Sequence, residues 1–139
     1  MIPDKKVNII FTASSVSVVA GYVPNTYLAS KHAIVGLTKN LCAELGKLGI
    51  RVNYISPCMV PTPSVMETIG ITNKNAVLEI GAAAANLKEV VLQEEDVAVV
   101  APYLGSDDSK YVSGLNLVVD ESFSIVNPCL GNVTTKTVA

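Results

Sequence analysis

Hydrophobic and polar positions follow two different periods along this chain, and the changes between them mark out its elements. Val7-Asn8-Ile9-Ile10-Phe11-Thr12 is a short, β-rich apolar run of the kind that forms a buried parallel strand. From Tyr27 to Leu48 the residues Ile34, Leu37, Leu41, Leu45 and Leu48 recur at intervals of three and four, which predicts a helix with one stripe facing a core. Asn25 or Thr26 is placed to cap its start, and Gly46 and Gly49 mark its end. Ile50-Arg51-Val52-Asn53-Tyr54-Ile55 reads as a second strand. Strand, helix and strand with tight joints predict a right-handed βαβ unit.

The pattern then loosens. Ser56 to Pro63 is a proline-broken loop, and from Ser64 to Leu92 the spacing supports only a short helix at Val65–Ile69 and an alanine-rich helix at Ala76–Lys88. Gly70, Gly81 and the unpatterned polar residues suggest a mobile excursion, not a packed layer; such excursions from α/β loops often act as lids. Glu94-Glu95-Asp96 opens another helix with its acids well placed for the dipole. Val97, Val100, Ala101 and Leu104 form its apolar face, and Pro102 sits awkwardly within it. Leu115 to Val119 reads as a third strand. After Asp120 the pattern fades, and Phe123 to Ala139 reads as a tail.

Composition narrows the class. At 139 residues, half of them hydrophobic and 16% charged, the chain suits one folded domain. A net charge of -2 without a basic stripe gives no case for nucleic acid. No apolar run approaches the ~18 residues of a membrane helix, so no membrane partner is expected. Cys42, Cys58 and Cys129 are odd in number and far apart, which argues against a disulfide framework or a metal site and suits a reducing, cytoplasmic setting. Asn132-Val133-Thr134 matches a glycosylation sequon, but no secretory h-region precedes it at Met1 to Asn8, so it is read as silent.

Candidate chemistry gathers between Ser14 and Lys31. Ser14 and Ser15 follow the first strand at its C-terminal end, where ligands collect in open α/β sheets, although turn serines are common there too. Tyr27 and Lys31 are four residues apart, which stacks both on one helix face. A tyrosine's ordinary pKa of about 10 is too high for a base at neutral pH, and roughly 4 kcal/mol of preference for the phenolate would close that gap. One cation ~4 Å away at an effective dielectric of about 20 supplies about that much before desolvation is counted. His32 points away round the helix and reads as an ordinary helix residue, and Cys58 reads as inert.

Ser14, followed thirteen residues on by Tyr27-Leu28-Ala29-Ser30-Lys31, resembles the Ser and Tyr-x-x-x-Lys signature of the short-chain dehydrogenase/reductases. Leu37-Thr38-Lys39-Asn40-Leu41, Gly49-Ile50-Arg51-Val52-Asn53, Glu95-Asp96-Val97-Ala98 and Tyr111-Val112-Ser113-Gly114-Leu115-Asn116 match further landmarks. Phe11-Thr12-Ala13-Ser14, Lys31-His32-Ala33 and Ala85-Asn86-Leu87-Lys88 are most similar to the plant branch that includes secoisolariciresinol dehydrogenase. The resemblance implies an α/β, Rossmann-like doubly wound parallel sheet. It assigns Ser14 over Ser15 as the group that holds the substrate oxygen, Tyr27 as the general acid or base, and Lys31 as the cation that also contacts the nicotinamide ribose. Pro57, Val60 and Thr62 keep positions that border the nicotinamide. The implied cofactor is NAD, with NADP open, and the implied substrate is a small hydrophobic secondary alcohol or ketone of plant secondary metabolism. A dimer or tetramer with the Tyr27 helix in the interface is expected.

Departures from the family pattern are informative. The Gly-x-x-x-Gly-x-Gly turn that cradles dinucleotide phosphates has no counterpart, nor does the Asn-Asn-Ala-Gly stretch. Residues 1–128 therefore read as the C-terminal part of such a domain, about three strands with flanking helices, and 129–139 as a flexible tail. Cys58 follows Pro57 where the family usually has glycine or, in this branch, a larger residue, and Asp120-Glu121-Ser122 replaces Asp-Gly-Gly. A left-handed backbone at Glu121 would cost about a kcal/mol. Two expectations follow: an oxidoreductase with Ser14, Tyr27 and Lys31 as its catalysts, or a silent fragment or interaction module that docks on full-length relatives.

Overall fold

A computed structural model describes residues 7–20 and 23–126 of the chain. The Met1–Lys6 segment, Gly21, Cys129, the Asn132 sequon and the flexible tail expected at 129–139 lie outside the described residues. Strand β1 (Asn8–Thr12) leads through a single 3-10 turn at Ser15–Ser17 to helix α1 (Asn25–Leu45). Strand β2 (Arg51–Pro57), helices α2 (Pro63–Ile69), α3 (Lys74–Ala84), α4 (Glu94–Ala98) and α5 (Val100–Gly105), and strand β3 (Asn116–Val119) follow. The sheet runs β1-β2-β3, and both pairings are parallel. The fold is α/β and Rossmann-like, with β1, α1 and β2 as its first βαβ unit.

The core lies along β2, where Val52, Asn53 and Ser56 have no exposed surface. Asn53 is held there by its amide: Nδ2 donates to the Val112 carbonyl at 2.9 Å, and Oδ1 accepts the Leu115 N–H at 3.0 Å. Those bonds set the entry into β3. Strand β1 differs from the buried strand expected of it. Val7 to Phe11 are half-buried and Thr12 is exposed, because β1 pairs on one side only among the described residues.

Helix α1 also departs in detail. Its N-cap is Pro24, and both Asn25 and Thr26 lie inside the helix. Its only buried residue is the polar Thr38, whose hydroxyl turns back to the Ile34 carbonyl at 2.8 Å. Leu37 and Leu48 of the expected core stripe are exposed. Gly49, at φ 76°, ends the 3-10 turn that follows α1. Pro102 is accommodated because the expected single helix is two. The break at Val99 puts Pro102 in the first turn of α5, where backbone N–H groups have no intrahelical partner.

Most of the segment from Ser64 to Leu92 is exposed or half-buried, and it is anchored to the rest of the fold at a few points. Val77 is fully buried, Ala85 is nearly so, and α3 passes so close to the preceding loop that a Cβ at Gly81 would meet the Met59 carbonyl at 3.4 Å. The alanine-rich helix stops at Ala84, four residues early. Ala85 turns extended, and the Lys88 ammonium caps the end by donating to the Ala85 carbonyl at 2.6 Å. Phe123 was expected in a tail, but it sits in a turn after β3 and faces a cavity.

Candidate active site

Each sequence-derived site residue has a local reason to be where it is. Ala13 extends the β1 ladder by donating to the Ile55 carbonyl at 2.8 Å, and the chain then turns. Ser14 caps that turn, with its Oγ accepting from the Val16 N–H at 3.5 Å. Ser17 ties the turn to the end of β2 through Ser56, hydroxyl to hydroxyl at 3.2 Å. Ser14 is left half-exposed while Ser15 is buried. Tyr27 stands in the first turn of α1, and Lys31 one turn later reaches back over its ring, Nζ 5.5 Å from the centroid. The Lys31 ammonium also donates to the Thr12 carbonyl at 3.1 Å, which anchors it to the end of β1.

These residues converge. One cavity of about 270 Å³ is lined by Ser14, Tyr27, Lys31, Pro57, Val60 and Thr62 together. A second, of about 200 Å³, shares Ser14, Tyr27, Cys58 and Val65 with the first and is otherwise mostly apolar, with Val16, Met59, Ile69, Ile80 and Phe123 in its wall. The arrangement is a polar cluster at the junction of two spaces, one ending on β2 and the other roofed by α2 and α3.

Electrostatics follow from burial. Desolvation pushes the Lys31 pKa down, so its ammonium would gain from a neighbouring anion. Burial pushes the Cys58 thiol up, which outweighs its hydrogen bonds to Ser15 and the Met59 backbone and keeps it protonated. Cys58 is thus inert as a nucleophile, yet it borders both cavities. His32 donates from Nδ1 to the Leu28 carbonyl at 3.0 Å and is exposed, an ordinary helix residue. Among the described residues no cluster of three His, Cys, Asp or Glu side chains is disposed to hold a metal.

Sequence reasoning missed part of the wall. Glu94 and Val97 of α4 line the first cavity, and Ile69, Ile80 and Ala84 line the second. Glu94 read only as a helix-start acid. It also forms the only ion pair among the described residues, with Lys74 of α3 at 3.0 Å. That pairing joins segments twenty residues apart and leaves no local signal. The apolar wall of α3 did leave one, the three-residue and four-residue spacing of Val77, Ile80 and Ala84.

A nicotinamide with its ribose fits what is present. Ser14, Tyr27, Lys31 and Thr62 offer polar groups into a cavity otherwise bounded by Pro57, Val60 and Val97. The phosphates and adenosine do not have the same support. The glycines of positive φ among the described residues are Gly49, Gly70 and Gly114, which follow helices or precede β3 and open no helix.

The family model described as enoyl-(acyl carrier protein) reductase matches residues 1–124. The chain belongs to the short-chain dehydrogenase/reductase family. It is 51% identical over 134 residues to short chain aldehyde dehydrogenase 1 of Euphorbia lathyris, covering 92% of this chain and 46% of that protein. It is 47% identical over 127 residues to secoisolariciresinol dehydrogenase of Forsythia intermedia, covering 91% and 46%. The solved structure of 4-hydroxyisoleucine dehydrogenase complexed with NADH superposes with a TM-score of 0.73 at 31% identity, covering 90% of this chain and 50% of that one. The chain spans about half the length of the curated relatives it matches. Among the described residues no helix is long and apolar enough to cross a membrane.

Proposed function

We propose that this chain carries the catalytic half of a nicotinamide-dependent secondary-alcohol dehydrogenase. The observation that carries the reading is the meeting of Ser14, Tyr27 and Lys31 at the junction of a mixed cavity and an apolar one. Ser14 Oγ holds the substrate oxygen against Tyr27. Tyr27 takes the hydroxyl proton on oxidation and returns it on reduction. Lys31, desolvated and fixed by Thr12, stabilises the phenolate as it forms. Pro57, Val60 and Thr62 border the nicotinamide, and Thr62 Oγ1 is already positioned by capping α2 through the Val65 N–H at 3.3 Å. When bound, the cofactor supplies the two-electron acceptor for the alcohol carbon. The cofactor we propose is NAD, with NADP open, since NADH-bound and NADP-bound structures both superpose on the chain.

The substrate we propose is a small hydrophobic secondary alcohol or ketone of plant secondary metabolism, as the apolar second cavity and the plant relatives suggest. The working protein is a homo-oligomer, dimer or tetramer, in the cytoplasm. Exposed Ala29, Ala33, Gly36 and Ala43 on α1 suit close packing on a second copy, and unpaired Cys42 and Cys58 suit a reducing compartment.

Titration of the 15N-labelled chain with nicotinamide mononucleotide and, separately, with AMP tests the reading without turnover. The mononucleotide should move the amides of Ser14, Lys31, Val60 and Thr62, and AMP should leave them in place. No response to the mononucleotide at those residues would end it. In the assembled, active protein Tyr27→Phe should slow alcohol oxidation by about 10²–10⁴-fold.

A further inference from the structure

Two walls of the paired cavities belong to helices joined by a strap. Ile80 and Ala84 of α3 face the apolar cavity, and Glu94 and Val97 of α4 face the other. Between the helices run residues 85–93. Leu87, Val90 and Val91 of this strap are exposed, and only its ends are buried, at Ala85 and Leu92. Both ends are fastened by one residue. The Glu121 carbonyl accepts the N–H groups of Asn86 and Leu87 at 3.1 and 3.0 Å, and Glu121 Oε1 accepts the Leu92 N–H at 2.9 Å.

We propose that Glu121 is a positioning residue for this site. It clamps both ends of the strap to the tip of β3 and thereby sets how α3 and α4 stand against the two cavities. The inference rests on the dehydrogenase reading for the meaning of those cavities.

The backbone shows that the carboxylate is kept against a local cost. Glu121 lies at φ 49° and Ser122 at φ 66°, a conformation side chains disfavour. The turn is imposed by Asp120, whose carboxylate accepts the N–H groups of Ser122 at 3.1 Å and Ser124 at 2.8 Å. A glycine at 121 would relax the backbone and keep the carbonyl bonds to Asn86 and Leu87. It would lose the bond to Leu92. The clamp therefore needs a side-chain acceptor, and this site has one where the family pattern has none.

The charged and titratable groups around the Glu121 carboxylate are Asp120 beside it, Asp96 from α4 and Cys58 from the end of β2. Burial first, then Asp120 and Asp96, push its pKa up, against the lowering effect of the Leu92 N–H. The Leu92 N–H is the one influence here that favours the ionised form, so protonation weakens that hydrogen bond, while burial and the two aspartates ease protonation in place.

The test uses the 139-residue chain without dinucleotide, followed by amide NMR from acid to neutral pH. In the wild type the amides of Leu92, of Ile80 and Ala84 in α3 and of Val97 in α4 should titrate together, with a midpoint above the usual glutamate range. Glu121→Gln keeps an acceptor: it should abolish that shared titration and keep Leu92 protected from hydrogen exchange. Glu121→Gly should melt no lower than the wild type, yet exchange about tenfold faster at Leu92. The proposal is overturned if Leu92 titrates without Ile80, Ala84 and Val97, if the shared titration survives in Glu121→Gln, or if Leu92 stays protected in Glu121→Gly. Because no dinucleotide is present, these outcomes are independent of the nicotinamide mononucleotide titration, and either reading can fail alone.

Discussion

Strands β1 and β2 are nearly interchangeable as sequences: each is a short run rich in apolar residues with one asparagine in it, and each carries serine close to the same end of the sheet. In the folded chain they behave differently. Strand β2 is paired on both sides and buries five consecutive residues, Val52 to Ser56. Among the described residues strand β1 is paired on one side and buries none. The alternation of a parallel ladder, anchored by Arg51 donating to the Val7 carbonyl and Ala13 donating to the Ile55 carbonyl, turns the backbone groups of Asn8, Ile10 and Thr12 outward. The Thr12 carbonyl is taken by Lys31, and the Asn8 side chain reaches the Gly105 carbonyl at 3.0 Å. Ile10 is left with the open stretch. The lesson is one of division of labour. Strand β2 holds the site together, and β1 brings Ser14 to it while offering an edge on which the phosphate-binding half of a longer relative, or another strand, would pair.

The largest effect expected from this contrast is on stability. Asn53→Ala removes two part-buried hydrogen bonds and leaves the Leu115 N–H without its acceptor. It should cost about 2–3 kcal/mol, roughly 10 °C in the thermal midpoint of a chain this size. Ile10 sits opposite Asn53 in the ladder, and Ile10→Ala on the half-buried edge should cost only about 1 kcal/mol. Equal losses in calorimetry would break the comparison, because they would mean that the β1 edge is covered in solution.

A smaller stability effect, with a larger effect on association, is expected at the edge itself. Ile10→Pro removes an N–H that points away from β2, so the ladder keeps its bonds and the cost should stay under about 1 kcal/mol. An unprotected edge predicts poor solubility and concentration-dependent association of the chain. Sedimentation velocity should show that association reduced in Ile10→Pro. Association unchanged by the substitution would place the contact elsewhere, with α1 as the first alternative.

The same contrast explains what was legible in the sequence. Periodicity located the strands and α1, because their residues answer to local spacing. It could not tell a strand paired twice from one paired once, since that depends on residues elsewhere. Tyr27 and Lys31 were readable as a pair from their four-residue spacing, and Ser14 was chosen over Ser15 through the family likeness. Thr62, Val60 and Pro57 came only through the family likeness. Glu94 and Glu121 were not read as site elements at all. Each acts through a partner twenty or more residues away, Lys74 in one case and Leu92 in the other, and nothing local distinguishes them from a surface acid. Glu121 did give one signal, a charged residue where the family pattern has glycine. Read alone, that substitution suggested only a backbone cost of about a kcal/mol. The left-handed backbone is there, as that reading required, but so is a hydrogen bond that a glycine lacks.

The smallest stability effect expected is at Lys31, and its sign separates chemistry from folding. Desolvation lowers the Lys31 pKa in the folded chain below its unfolded value. The unfolded chain then binds more protons across that interval, so wild-type stability rises as pH climbs through the folded pKa toward the unfolded one. Lys31→Met keeps the aliphatic packing along Tyr27 and has no proton to lose. Its bond to the Thr12 carbonyl is gone, but Thr12 is exposed and water replaces the donor. The thermal midpoint of Lys31→Met relative to wild type should therefore be highest near neutral pH and fall as the pH approaches the lysine range. A difference that grows with pH would mean that the folded chain stabilises the ammonium, so that a neighbouring anion and not burial dominates at this position. In either case the proposed function requires the assembled protein to lose alcohol oxidation with the substitution, because the cation proposed to stand beside Tyr27 is gone. A variant that melts like the wild type at neutral pH and still turns over alcohol at the wild-type rate would remove Lys31 from the catalytic group altogether.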